Sequence, residues 1–249
     1  MESKRRQRER RAARAETQVP PLPLLLVVCE GRETEPQYVE GFRAWCKNPR
    51  VTVVLEPGAG VPLTLVERAK ALKLAAEEAA RREHDQNLCY EQVFCVFDID
   101  EHPNVPAARQ LAVQSGLSLA VSNPCFDLWC LLHYRDSPGM RHRRDIQKML
   151  ASYQPGVRDK HLDFDKLIPG YADAVARAER LDREASAAGE DGRNPTTGVF
   201  RLTAAIDQSS RRPRLHPDRA TLAKEKAEAA ARAALEQAAR ELAGADSSK

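Results

Sequence analysis

The stretch that decides the fold is residues 24–34, LLLVVCEGRET, in which six consecutive apolar residues lead directly into a charged turn. A continuous apolar run of this length is typical of a strand that is buried on both faces of a parallel sheet. The run begins just after Pro21 and Pro23 and is far shorter than the roughly 20 apolar residues of a membrane span. It also lacks the small-residue cleavage site of a secretory signal. We therefore interpret it as the first buried strand.

Strand and helix patterns alternate outward from this stretch. The sequence predicts strands at 24–29, 51–55, 92–97 and 117–122, and helices at 35–46, 63–84 and 105–115. After residue 124 the pattern is helical, with helices predicted at 126–134, 171–187 and 197–208. Repeated strand–helix–strand units indicate parallel strands joined by right-handed crossovers. We therefore predict an α/β fold, with an open parallel sheet of about four strands flanked by helices and a helical C-terminal part.

Composition divides the chain into four segments. They are a basic disordered arm (1–20), an α/β core (21–134), a helical extension of that core (135–212) and an Ala-rich C-terminal helix (213–249). Residues 1–17 carry a local charge of +4, so the +3 of the whole chain leaves −1 for the rest. A generally basic nucleic-acid-binding surface is therefore not indicated, although a local basic groove stays open.

The cysteines and the absent motifs exclude several classes of protein. The six cysteines include no CxxC pair, which argues against a zinc site or a disulfide scaffold and favours a reducing cytoplasm. The sequence contains no GxxxxGK[ST], no HExxH and no GxSxG motif. A self-contained P-loop ATPase, a zinc protease of that type and an α/β-hydrolase are therefore not expected. No membrane segment is predicted either.

Acidic residues follow two of the predicted strands. Glu30 comes directly after the first strand, and Asp98 and Asp100 close the third. Ligands of open α/β sheets bind beyond the carboxyl ends of the strands, where the strand order reverses. Three carboxylates meeting there suit Mg²⁺ or Mn²⁺, which prefer oxygen ligands. A turn or a helix cap is the alternative reading of such an Asp pair taken alone.

The sequence resembles the RloB-like proteins in four short motifs that occur in the same order. These are residues 28–36 (VCEGRETEP), 97–100 (FDID), 122–129 (SNPCFDLW) with His133 after it, and 194–197 (NPTT). The resemblance implies a Toprim-like core, because RloB-like proteins are grouped with Toprim-type domains. It implies in turn that Glu30, Asp98 and Asp100 are the catalytic metal ligands. Asp127 stands where this family more often has Glu, which puts direct metal coordination by it in doubt.

The resemblance also implies a function and partners. RloB-like proteins are associated with restriction-modification and abortive phage-infection loci, often beside a gene for an ABC/AAA-type ATPase. The chain is then expected to be a metal-dependent nuclease of phage defence that cleaves DNA or RNA, tRNA included, and works with such an ATPase. A homo-oligomer stays open. The alternative is a non-catalytic sensor or docking subunit of an ATPase complex, whose assembly would depend on the segment after Arg214.

Further residues are candidates for supporting roles. Glu35 could orient the attacking water, and His133 could act as a general base or a phosphate contact. Asp127 and Asn123 are candidates for metal binding or for supporting a ligand. Nucleic-acid contacts are predicted at Arg141, Arg143, Arg144 and Arg193. The structural alternatives are a favourable acid at a helix start for Glu35, a hydrogen-bonded core residue for His133, an Asn-Pro turn for Asn123 and a solvated loop for the arginines.

Overall fold

The computed structural model describes residues 23–55, 61–99 and 104–210. Within these residues the strands are β1 (Leu24–Cys29), β2 (Val51–Leu55), β3 (Tyr90–Asp98), β4 (Ser118–Asn123) and β5 (Thr196–Thr197). The α-helices are α1 (Thr34–Trp45), α2 (Pro62–Glu83), α3 (Val105–Ser115), α4 (Asp127–Leu132), α5 (Arg143–Tyr153), α6 (Phe164–Leu167), α7 (Tyr171–Ala187) and α8 (Val199–Gln208). Short 3₁₀ turns lie at Gln86–Leu88, Pro155–Asp159 and Ile168–Gly170.

The five strands form one sheet in the order β2-β1-β3-β4-β5. Strands β1 to β4 are parallel, and β5 pairs antiparallel with the end of β4. The chain leaves β1 for β2 on one side and returns to β3 on the other, so the strand order reverses between β1 and β3. The predicted α/β fold with an open parallel sheet is confirmed.

Strand β1 is buried on both faces, which explains its continuous apolar run. Leu25 and Val27 face one hydrophobic core, and Leu26 and Val28 face the other. Side chains of α2 and α3 cover the face of Leu26 and Val28. The other face is covered by side chains of α1, α4, α5, α7 and α8. Since alternate residues of a strand point to opposite faces, both faces of β1 must be apolar.

Strand β5 is the main departure from the predicted elements. The sequence predicts a helix from Thr197, but Thr196 and Thr197 pair with Asn123 and Ser122, and α8 begins at Val199. The hydroxyl groups of Ser122 and Thr197 also share a hydrogen bond of 2.9 Å. A two-residue strand has no periodicity of its own, so only the tertiary pairing with β4 reveals it.

The predicted helical extension packs on the same core as the sheet. Leu150 of α5, Ala178 of α7 and Ile206 of α8 are fully buried in one cluster with Val27 of β1. The predicted arm at 1–20 and the predicted helix at 213–249 lie outside the described residues. Of the helices that the structure describes, none combines the length and apolar character needed to cross a bilayer.

Candidate functional site

Glu30 and Asp98 follow or end the two central strands, at the same edge of the sheet. The backbone N–H of Glu30 donates a 3.0 Å hydrogen bond to the carbonyl of Val96, which continues the pairing of β1 with β3. Asp98 ends β3, and its side chain is 14% exposed. The two carboxylates thus lie where the strand order reverses. The predicted third ligand, Asp100, lies outside the described residues.

Both carboxylates line one open cavity of about 710 Å³. Five acidic side chains line it: Glu30, Glu33, Glu35, Asp98 and Asp127. Six basic side chains line it as well: Arg32, Arg143, Arg144, Lys148, Arg158 and Lys160. The acidic groups come from the ends of β1 and β3 and the starts of α1 and α4. Five of the six basic groups come from α5, the neighbouring 3₁₀ turn and the residue directly after that turn.

Glu35 lies in the first turn of α1 and is buried. Burial raises the pKa of Glu35 to about 7, and repulsion by Asp127 and Glu30 adds to this, whereas Arg143 opposes it. Gly31 lies so close that a Cβ there would overlap the Glu35 carboxyl group. The glycine after Glu30 therefore makes the space that Glu35 fills.

Asp127 opens α4 and is also buried. Burial raises its pKa, whereas hydrogen bonding to Gln147 and the charge of Arg143 lower it. The thiol of Cys125 lies 3.9 Å from the Asp127 carboxylate and donates to it. The structure therefore brings Glu30, Glu35, Asp98 and Asp127 to one cavity, which the spacing of these residues along the sequence could not reveal in full.

Arg143 connects the basic and acidic sides of the cavity. Its guanidinium lies 4.0 Å from the Asp98 carboxylate and acts electrostatically on Glu35 and Asp127. Two of the four predicted nucleic-acid contacts, Arg143 and Arg144, thus line the cavity. Lys148, Arg158 and Lys160 were not predicted from the sequence. The helical spacing of Lys148 from Arg144 is a pattern that could have indicated Lys148. No such pattern indicates Arg158 or Lys160.

Asn123, Arg141 and Arg193 do not line this cavity. The side-chain amide of Asn123 donates to the carbonyl of Gly192 at 2.9 Å. Arg141 is held through its backbone, because Asn194 accepts from its N–H at 3.4 Å and donates to its carbonyl at 2.8 Å. The Arg193 guanidinium pairs with Glu190. The two Asn-Pro motifs therefore join the end of β4, the 190–195 loop and the segment before α5.

His133 lies in the hydrophobic core and does not line the cavity. Its Nδ1 lies 2.8 Å from the carbonyl of Leu167 and its Nε2 lies 3.2 Å from the Tyr38 hydroxyl. Burial lowers the pKa of His133 to about 4, and the charge of Arg177 lowers it further. This placement matches the hydrogen-bonded core histidine that the sequence left open, and it keeps His133 away from the cavity carboxylates.

The carboxylates of the cavity meet the needs of a divalent cation only in part. Among the described residues, no three His, Cys, Asp or Glu side chains form a group that could hold a metal ion by themselves. Mg²⁺, however, commonly uses one or two carboxylates together with waters and substrate phosphate oxygens. Glu30 and Asp98 supply carboxylates of this kind, in a cavity where burial, and to a lesser extent the neighbouring acids, raise the pKa of Glu35. The residues present fit a cation that is shared with a phosphate ligand.

Comparison with known proteins gives one family match. No curated protein matches the chain. One solved structure with some similarity is the crystal structure of a sigma-54 interaction domain protein from Enterococcus faecalis. It is 12% identical over 57% of this chain and 98% of that chain, with a TM-score of 0.28, which is too low to support any argument. The family model described as RloB-like protein matches residues 25–206, from β1 to α8. On this match over most of its length, the chain belongs to the RloB-like family.

Proposed function

We propose that the chain is a metal-dependent phosphodiesterase that cleaves nucleic acid, DNA or RNA. The observation that carries the proposal is the meeting of Glu30 and Asp98 at the reversal of strand order, in a cavity whose other side is basic. Carboxylates next to cations suit a ligand that has both a metal-binding oxygen and a negative charge. A phosphodiester has both properties.

Each group of residues has a role in this proposal. Glu30 and Asp98, with Asp100, would hold Mg²⁺ or Mn²⁺. The chemistry that such a cation supplies when bound is polarisation of the scissile phosphate and stabilisation of the attacking and leaving oxygens. Glu35, buried beside them, would orient the attacking water, and Arg143 would neutralise charge on the phosphate.

The biological setting rests on family membership. The resemblance to RloB-like proteins implies phage defence, by abortive infection or beside a restriction system, together with an ABC/AAA-type ATPase. These parts of the proposal, like a cytoplasmic location, rest on the resemblance and on the sequence. The cavity itself supports only the chemical step.

The test compares two carboxylates on the same strand. Asp98 lies at the carboxyl end of β3, and Glu91 is exposed near the amino end. Wild type, Asp98→Asn and Glu91→Gln are incubated with plasmid DNA and with total tRNA, with Mg²⁺ or with EDTA. We expect Mg²⁺-dependent cleavage by wild type and Glu91→Gln, and only background cleavage by Asp98→Asn with unchanged circular dichroism. Undiminished cleavage by Asp98→Asn would contradict the proposal.

A further inference from the structure

A wall of basic side chains stands beside the carboxylates. We call it the α5 wall and define it by Arg143, Arg144 and Lys148 of α5, Arg158 of the following 3₁₀ turn, and Lys160 directly after that turn. The wall comes from a part of the chain that is distant in sequence from Glu30 and Asp98. The roles proposed for Glu30 and Asp98 do not require all of these cations.

Helix α5 holds this wall in a fixed position. Residues 143, 144, 147, 148 and 151 follow a helical spacing and line the cavity, while Ile146 and Leu150 are fully buried on the side that faces the core. The helix packs against α4, whose first residue is Asp127. The basic wall and the acidic groups are therefore parts of one packed unit.

Among the described residues, two of the five cations of the α5 wall form ion pairs with carboxylates. Arg143 faces Asp98 and Lys148 faces Asp145, each at 4.0 Å. Within the described part of the chain, the side chains of Arg144, Arg158 and Lys160 make no ion pair. All three are exposed and line the cavity. Three cations that share one cavity surface without a partner favour a ligand with several negative charges.

The cavity limits the form that this ligand can take. Its volume of about 710 Å³ lies in the range that encloses a ligand of small-molecule size, about 300–1,000 Å³. A duplex is too wide to be enclosed in such a volume, whereas a short segment of a single strand fits into it. Phe126 is the aromatic residue among the described lining residues, and it is almost fully buried. The lining therefore offers contacts to phosphates and no exposed ring on which bases could stack.

We propose that the α5 wall binds the phosphates next to the scissile one, so that the site takes a single-stranded nucleic acid by its backbone and without base preference. This inference rests on the proposed function, because it assumes that the scissile phosphate lies at Glu30 and Asp98. Arg158 and Lys160 bind phosphates outside the reacting group. They contribute to the affinity for the nucleic acid and take no part in the chemical step.

The test measures binding without cleavage. Fluorescence anisotropy follows labelled single-stranded DNA, single-stranded RNA and a duplex of the same sequence, at several salt concentrations and with Ca²⁺ in place of Mg²⁺. The variants are Arg158→Gln/Lys160→Gln, the charge-preserving Arg158→Lys/Lys160→Arg, and the control Lys70→Gln/Arg82→Gln on α2, across the sheet. Because each phosphate contact contributes about 0.7 to the salt slope of single-strand binding, the first variant should lower that slope by about 1.4.

We expect the charge-preserving variant and the control to keep the wild-type slope, and both single strands to bind more tightly than the duplex. An unchanged slope for Arg158→Gln/Lys160→Gln would overturn the inference, and so would an equal loss in the control. If the duplex bound more tightly than the single strands, and its binding depended on Arg158 and Lys160, the proposed preference for single strands would be wrong. Competition by an acidic polypeptide at equal charge would show that the wall recognises acidic protein. Binding of single strands in Ca²⁺, with no cleavage of the same strands in Mg²⁺, would contradict the proposed function alone.

Discussion

At the scale of single residues, Gly31 shows how closely the cavity is built around Glu35. A Cβ at position 31 would overlap the Glu35 carboxyl group, which is the far end of a flexible side chain. The carboxyl group can turn away, so a small side chain at this position should displace Glu35 without damage to the core. Glycine after Glu30 is therefore tied to the position of Glu35.

Gly31→Ala is expected to reduce cleavage by about 10²-fold, because a displaced group loses the geometry of the reacting atoms. The melting temperature should change little, since the overlap involves a side-chain end. Steady-state cleavage and thermal unfolding measure the two effects. The double variant Gly31→Ala/Glu35→Gln is the control, and it should be no less active than Glu35→Gln. Fully additive losses would show that Gly31 acts independently of Glu35.

His133 provides a prediction about pH. Burial lowers its pKa from 6.5 to about 4, so the unfolded chain binds the proton more readily. Its contribution to the free energy of unfolding is therefore complete above pH 6.5 and is lost as the pH falls toward 4. The loss is on the order of 3 kcal/mol. Relative to wild type, His133→Gln should lose this contribution, as measured by urea unfolding between pH 4 and 7, whereas the opposite contribution of Glu35, whose pKa is raised to about 7, is present in both proteins.

The exposed His161 is the matched control for this measurement. His161→Gln should keep the wild-type dependence on pH. If the free energy of unfolding of His133→Gln depended on pH as that of wild type does, the assignment of His133 as a buried neutral histidine would be wrong.

The sequence predicts site residues at strand ends more readily than site residues at helix starts. Glu30 and Asp98 were predicted from their position after apolar strands, and both line the cavity. For Glu35 the sequence could not separate a helix-start acid from a site residue, and for Asp127 it left direct metal coordination in doubt. Their position in one cavity depends on how the tertiary structure brings the starts of α1 and α4 together, and no local pattern encodes that.

At the scale of elements, Asn194 joins two segments that are distant in sequence. Its amide bonds to both backbone groups of Arg141, two residues before α5 begins. His142 caps α5 by accepting from the N–H of Arg144 at 3.2 Å. The 190–195 loop therefore helps to set the start of the helix that carries the basic wall.

Asn194→Asp should weaken this connection, because a carboxylate cannot donate to the carbonyl of Arg141. We expect a loss of about 1 kcal/mol in the free energy of unfolding, since the bond is exposed. Hydrogen exchange should become faster in the first turn of α5 and remain unchanged in α2. Equal acceleration in both helices would indicate a general loss of stability and contradict this specific role.

Most regular elements could be predicted from periodicity, with ends displaced by one or two residues. The predicted helices at 105–115 and 171–187 match α3 and α7. The sequence did not reveal β5, which exists through its pairing with β4. It also did not reveal the basic 3₁₀ turn Pro155–Asp159, whose place beside the carboxylates is set by its packing on α5.

At the scale of the whole molecule, the sheet separates two apolar layers and gathers the charged groups at one edge. The crossover between β2 and β3 places β1 and β3 side by side, so the carboxyl ends of both strands open into the same cavity. The parallel order follows from the alternating pattern of strands and helices. The place of α5 beside the cavity does not, because it depends on the packing of α5 against α4 and the common core.

The central claim is that this edge of the sheet holds a divalent cation. The most direct measurement is isothermal titration of Mn²⁺ into the full chain in the presence of a non-cleavable phosphorothioate strand. Wild type is compared with Asp98→Asn and with Glu91→Gln at the opposite end of the same strand. We predict saturable Mn²⁺ binding by wild type and Glu91→Gln and its loss in Asp98→Asn. Equal Mn²⁺ binding by all three proteins, or by none, would contradict the account.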